Sequence, residues 1–264
     1  MTAMPSLHGL SHAFPHTDWW VPVLLMSLRV GATLALTPVL YAAPMPPTVR
    51  MLLVLSLSLC LAWNLSSPGT AASQGSLDIW QAAPRELAIG ITLGLGILFA
   101  FAAFSVAGRL LDVQVGFGIA QVIDPVSRRQ VPILTSLFDQ TAILVFFLVN
   151  GHHALLRGLA YSVERFPLGS ALDGAQAFGP MIKQAGGVFS LGFALVAPVV
   201  FCIVLADLVL GVVARNLPQM NMFAMGIPIK IVLGLIVLSV WFTGMGSAMT
   251  QIYLGIVKTW SEIF

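Results

Sequence analysis

The sequence predicts an all-α membrane protein, and two observations carry that reading. Hydrophobic residues make up 58% of the 264 positions, charged residues only 8%, and the mean hydropathy is +0.95. An ordinary soluble domain carries about 25% charge. The second observation is three charge-free runs: Leu87–Ala107 and Gly186–Ala206, 21 residues each, and Ile231–Val257, 27 residues. As a helix, each is long enough to cross roughly 30 Å of hydrocarbon.

Taken in order, residues 1–18 hold no Lys or Arg but three His and two Pro. They read as a polar N-terminal tail rather than a cleavable signal. His8, His12 and His16 recur every fourth residue, yet Pro5, Gly9 and Pro15 disfavour the helix that would make them metal ligands. A helix over 19–40 follows, interrupted by Pro22 and Pro38 and carrying Arg29; the next, over 48–64, has an apolar part of 15 residues, too short to span. Ser66–Ser76 is a small polar linker. Helices over 79–107, 132–149 and 151–164 come next, the last pair divided by the turn signal Asn150-Gly151. After a break at Phe166–Gly174, helices over 175–214 and 226–261 complete the chain. No repeat is visible, so residues 1–264 read as one continuous domain. Short, broken and charge-bearing apolar helices favour an assembly packed against partners over a simple bundle bathed in lipid.

Several functions are disfavoured. A net charge of +2, with Arg128–Arg129 the only adjacent basic pair, leaves no nucleic-acid footprint. Cys60 and Cys202 lack any C-x-x-C or His-paired spacing, so neither metal nor cofactor is expected. An intramembrane aspartyl protease needs paired carboxylates, but Gly116-Phe-Gly-Ile119 lacks the aspartate of a G-x-G-D arrangement and the remaining aspartates are scattered. His152 and His153 read as interfacial polar residues, not a catalytic base.

Charges near apolar segments need partners. Arg29, Arg109, Asp112, Asp139, Asp207, Arg215 and Lys230 are such charges; Arg109 with Asp112 and Asp207 with Arg215 are the pairs that helical spacing suggests. Gly90 and Gly94 form a G-x-x-x-G pair that admits a neighbouring helix, and Gly186, Gly187 and Gly192 read the same way.

The stretch Gly108–Pro132 fits neither water nor lipid. It is too oily for a solvent loop and too rich in charge and glycine for a lipid-facing helix. Gly116 and Gly118 flank Phe117, followed by Ile119, and Asp124-Pro125 signals a turn. The composition suits a mobile apolar obstruction, anchored by Gly108, Arg109 and Asp112 on one side and Asp124 and Pro125 on the other. A packed connector between helices is the alternative.

Together, these motifs in this order resemble the FliR family of flagellar export-gate proteins, related to the equivalent injectisome component. The resemblance runs through most of the chain: Pro44-Met-Pro-Pro-Thr-Val-Arg50, Arg85-Glu86 with Gly90 and Gly94, Gly108 to Asp124-Pro125, Asn150-Gly-His152 with Ser162, and Pro167-Leu-Gly169. It continues through Ala197-Pro198, Asp207, Gly211, Arg215-Asn-Leu-Pro-Gln-Met-Asn-Met-Phe223, Gly226-Ile-Pro-Ile-Lys230 and Gly234. The resemblance implies helical hairpins like a fusion of FliP-type and FliQ-type folds, and a non-enzymatic gate subunit without cofactor. Its implied partners are FliP-type and FliQ-type subunits, an FlhB-type switch protein and unfolded flagellar export substrates. Its implied place is the bacterial inner membrane at the flagellar basal body, with the assembled gate largely above the membrane plane. The family's plug loop matches Gly108–Pro132, with Gly116, Phe117, Gly118 and Ile119 at its tip; Pro218, Gln219 and Lys230 match a motif near the cytoplasmic entrance. An injectisome gate subunit, or a secondary transporter with a midplane site at Pro198, are the other readings.

Overall fold

A computed structural model describes residues 20–42, 45–65, 79–117, 132–172, 174–217 and 222–263; among these, all regular structure is helical. The helices are α1 (Trp20–Leu36), α2 (Val39–Ala42), α3 (Pro47–Leu65), α4 (Ile79–Val115), α5 (Ile133–Leu148), α6 (Gly151–Arg165), α7 (Gly174–Asn216), α8 (Met222–Phe242) and α9 (Gly246–Ile263). The polar tail at 1–18 and the linker Ser66–Ser76 lie outside the described residues. So do Gly118, Ile119, Asp124, Pro125, Pro218 and Gln219.

Three helices are long and apolar enough to cross a membrane: Ile79–Val115, Ala177–Asn216 and Ala224–Phe242. The pair α5 and α6, bent by 67°, makes a fourth if it counts as one span. The bend falls at Asn150, whose φ of 57° is the left-handed conformation that asparagine tolerates better than most residues. Helices of 37 and 43 residues, α4 and α7, are about 55 and 65 Å long. Both exceed the hydrocarbon thickness by far, so part of each must meet water or protein.

The chain divides into two compact units, one of residues up to Gly94 with Arg157–Gly174, the other of Leu95–Leu156 with Ala175 onward. In the first, α1 buries Leu25, Met26, Arg29, Val30, Thr33 and Leu34, a single helical face. That face meets the glycines of α4. A methyl group on Gly94 would lie 2.8 Å from Leu36 Cβ, and one on Gly90 would lie 2.9 Å from Ala32 Cβ. The closeness lets the Thr33 hydroxyl reach the Gly90 carbonyl at 3.1 Å.

The core of the second unit is aromatic. Phe101, Phe104, Phe146 and Tyr253 pack with centroids 5.6 to 5.7 Å apart, and the Tyr253 hydroxyl donates to Ala142 O at 2.7 Å. That bond satisfies the polar end of a buried ring. Gly192 lets α7 approach α4, since a Cβ there would lie 2.7 Å from Ala103 O. Gly186 and Gly187 have no neighbour from this chain within 4 Å.

Two helix boundaries differ from the sequence reading. Instead of ending at Ala107, α4 runs on to Val115, so the first eight residues of the supposed plug loop are helical. The helix expected over 226–261 is broken between Phe242 and Gly246. There Gly244 N donates to Trp241 O at 2.9 Å and Met245 N to Phe242 O, turning the chain where Gly244 and Gly246 weaken the helix.

Candidate functional site

The described ends of the connector between α4 and α5 meet in a closely built base within the second unit. Helix α5 starts after Pro132, which offers no side chain to cap its free N–H groups. The cap comes from α4 instead. One oxygen of Asp112, Oδ1, accepts from Leu134 N at 3.0 Å; the other, Oδ2, accepts from Thr135 N at 2.9 Å and from the Thr135 hydroxyl at 2.7 Å. These are the second and third N–H groups of α5, the ones a capping side chain ordinarily takes. Asp112 is 3% exposed, at the N-terminal end of α5. One turn earlier, Gly108 lets the backbones touch: a Cβ there would collide with Thr135 Cα and lie 2.9 Å from Thr135 N.

On its other side, the end of α4 meets α8. A Cβ on Gly234 would lie 2.8 Å from Val115 Cγ2. Gly116 then ends the helix with φ +100°, where a side chain would strain the backbone although the nearest atom, Ile227 Cγ2, is 3.6 Å away. Here glycine is needed for conformation rather than for space. Gly116 is buried and Phe117 half-buried.

This geometry revises the anchors read from the sequence. Gly108 is a helical packing glycine and not a hinge, because it is wedged against α5. Arg109 is exposed and forms no ion pair with Asp112 among the described residues; two backbone N–H groups at a helix start bind a fixed carboxylate more firmly than a flexible, hydrated side chain does. Asp207 pairs with Lys230 on α8, Nζ lying 2.9 Å from Oδ1 and 3.0 Å from Oδ2, while Arg215 is exposed. Eight residues along a helix is about 12 Å, too far for Asp207 to meet Arg215 easily. Asp139 accepts from the Ser105 hydroxyl at 2.5 Å.

In the first unit, the sequence marked Arg29 as a charge needing a partner, and Glu86 and Ser162 as landmarks of the resemblance, without pairing them. Arg29 Nε donates to Glu86 Oε2 at 2.6 Å, with both side chains 0% exposed. Nη1 reaches the Ser162 hydroxyl at 3.2 Å and Nη2 reaches Phe166 O at 3.0 Å. Glu86 Oε1 accepts from Gly169 N at 2.8 Å, and Arg85 Nη1 donates to Gly169 O at 2.9 Å. Gly169 has φ +82° in a turn closed by Ser170 N to Pro167 O, a position that calls for glycine. The isolated charges beside apolar runs were the available signal.

We expect Gly108→Ala to destabilise the protein by about 2 kcal/mol, because backbone must move. The control, Gly186→Ala, faces open space and should stay within about 0.5 kcal/mol of the parent. Unfolding midpoints in mild detergent compare them; equal midpoints would refute the tight base.

Residues 20–255 match the family described as bacterial export proteins, family 1. The flagellar biosynthetic protein FliR of Bacillus subtilis (strain 168) is 33% identical over 230 residues, covering 84% of this chain and 86% of the relative. FliR of Escherichia coli (strain K12) is 30% identical over 208 residues, 79% of each. The secretion system apparatus protein SsaT of Salmonella typhimurium (strain LT2) is 30% identical over 158 residues, 60% of this chain and 61% of the relative.

Proposed function

The chain belongs to the bacterial export proteins, family 1, and from that premise we propose that it is a non-enzymatic subunit of a flagellar type III export gate. One observation about the molecule carries the reading. The most apolar stretches of α7 and α8 are only 22% and 17% buried within the chain, yet the surface between them holds an ion pair, with Lys230 20% and Asp207 43% exposed. Lipid is a poor solvent for that pair, and water a poor one for Phe201, Val204, Leu208 and Val232, exposed on the same two helices. Protein on this face suits both.

The proposed neighbours are hydrophobic gate subunits of FliP type and FliQ type, with an FlhB-type protein, in the bacterial inner membrane at the flagellar base. The connector after Val115 acts as the plug of the channel for unfolded flagellar proteins. Its base supports this role: Asp112 and Gly108 hold the two ends together while Gly116 starts the departure from the helix. Support for the flagellar reading comes from the Bacillus and Escherichia flagellar relatives, which align over 84% and 79% of the chain; SsaT aligns over 60%, about as much as the Pectobacterium flagellar relative at 58%.

A protease is not favoured: Asp112, Asp139 and Asp207 each bind a different partner. The test is gentle extraction from the native membrane. A stable complex with two small hydrophobic proteins is expected; a lone chain active in small-molecule transport would overturn the proposal.

A further inference from the structure

Within the second unit a cavity of about 210 Å³ lies among α4, α7 and α9. Its walls are apolar at Phe99, Val188, Leu191 and Ile252, and Gly187 and Gly255 face open space where side chains would otherwise intrude. Its polar lining includes Lys183 and Lys258, with Glu262 and Thr259 beside them. Both lysines are exposed, and among the described residues neither forms an ion pair.

The sequence places these lysines at a particular depth. Lys183 precedes the charge-free run of α7 that begins at Gly186, within a helix long and apolar enough to cross a membrane, and Lys258 of α9 lines the same cavity. A basic side chain just ahead of such a run reaches the headgroup level. The cavity brings them together from the start of one helix and the end of another. Around it, α7 exposes Ile182 and Phe189 and α9 exposes Leu254 and Val257, an apolar flank suited to acyl chains.

We infer that this cavity binds one glycerophospholipid, its phosphodiester held by Lys183 and Lys258 and its headgroup donors, hydroxyl or ammonium, by Glu262 and Thr259. Two ammonium groups complement the phosphate. The carboxylate decides between occupants: it attracts a headgroup that carries N–H or O–H donors and repels a purely acidic segment of another protein. Because the site is a formed cavity with an apolar wall, the lipid stays with the protein after extraction.

The experiment is native mass spectrometry of the full chain, with any proteins that accompany it, after delipidation and addition of phosphatidylglycerol, phosphatidylethanolamine, phosphatidylcholine or water-soluble glycerol 3-phosphate. Phosphatidylglycerol and phosphatidylethanolamine should bind one per chain. Phosphatidylcholine, which has no headgroup donor, should bind more weakly, and glycerol 3-phosphate should not bind. The Lys183→Gln/Lys258→Gln variant should weaken phosphatidylglycerol binding about thirtyfold, since each lysine contributes at the scale of a surface charge on an anionic lipid. Lys183→Arg/Lys258→Arg should retain it. The inference is overturned if the glutamine variant binds phosphatidylglycerol like the parent, if the arginine variant loses as much as the glutamine variant, if glycerol 3-phosphate competes equally, or if the glutamine substitutions release a companion protein while lipid binding is unchanged.

Discussion

Replacing Arg29 by methionine should cost the fold about 3–5 kcal/mol, since it leaves the Glu86 carboxylate buried without its counter-charge. Glu86 is fully buried and held in place by Gly169 N, so it cannot turn to water for compensation. Ser162 and Phe166 O lose a donor in the same step. The double variant Arg29→Met/Glu86→Leu should recover most of that loss, because two apolar side chains remove the stranded charge. It should not recover all of it, because Gly169 N keeps no acceptor. Reversible unfolding in mixed micelles of both single variants and the double variant yields the coupling. Independent, additive losses would mean that Arg29 and Glu86 do not act as a pair.

The second large effect belongs to Asp112→Ala. It removes the acceptor for two backbone N–H groups and one hydroxyl at the start of α5, where Pro132 supplies no substitute. Loss of a buried cap and of its bonds should destabilise by about 3 kcal/mol. Asp112→Asn should cost less, since its single carbonyl oxygen still accepts while its amide nitrogen opposes an N–H. In membranes the alanine variant should also raise resting ion leak, because the two ends of the connector are then no longer held together at its base. Loss of stability without leak would separate Asp112 from the closed state.

What could be read from the sequence depended on the range of the interaction. The bend at Asn150-Gly151 was legible because a turn is encoded locally, and the charge-free runs fell inside α4 and α7 because hydrophobic length needs no partner to be seen. The break at Gly244 was missed: a run without charge, Ile231–Val257, hid a turn whose only local sign was two glycines. The end of α4 was misplaced for a related reason. Gly108 looked like a helix terminator, whereas its role is to admit Thr135, a residue 27 positions further along the chain. Pairings failed where the partner lay on another element. Lys230 stands 23 positions from Asp207, and Glu86 stands 57 from Arg29. The cap supplied by Asp112 left one trace, a helix start after Pro132 without Ser, Thr, Asp or Asn of its own.

In the proposed function the connector beginning at Gly116 closes a protein-conducting channel. Single-channel or liposome conductance of the assembled complex after deletion of residues 116–118 tests it most directly. The deletion is expected to make the closed gate conduct ions while flagellar export continues. A deleted complex that assembles, exports and remains as tight to ions as the parent would contradict it.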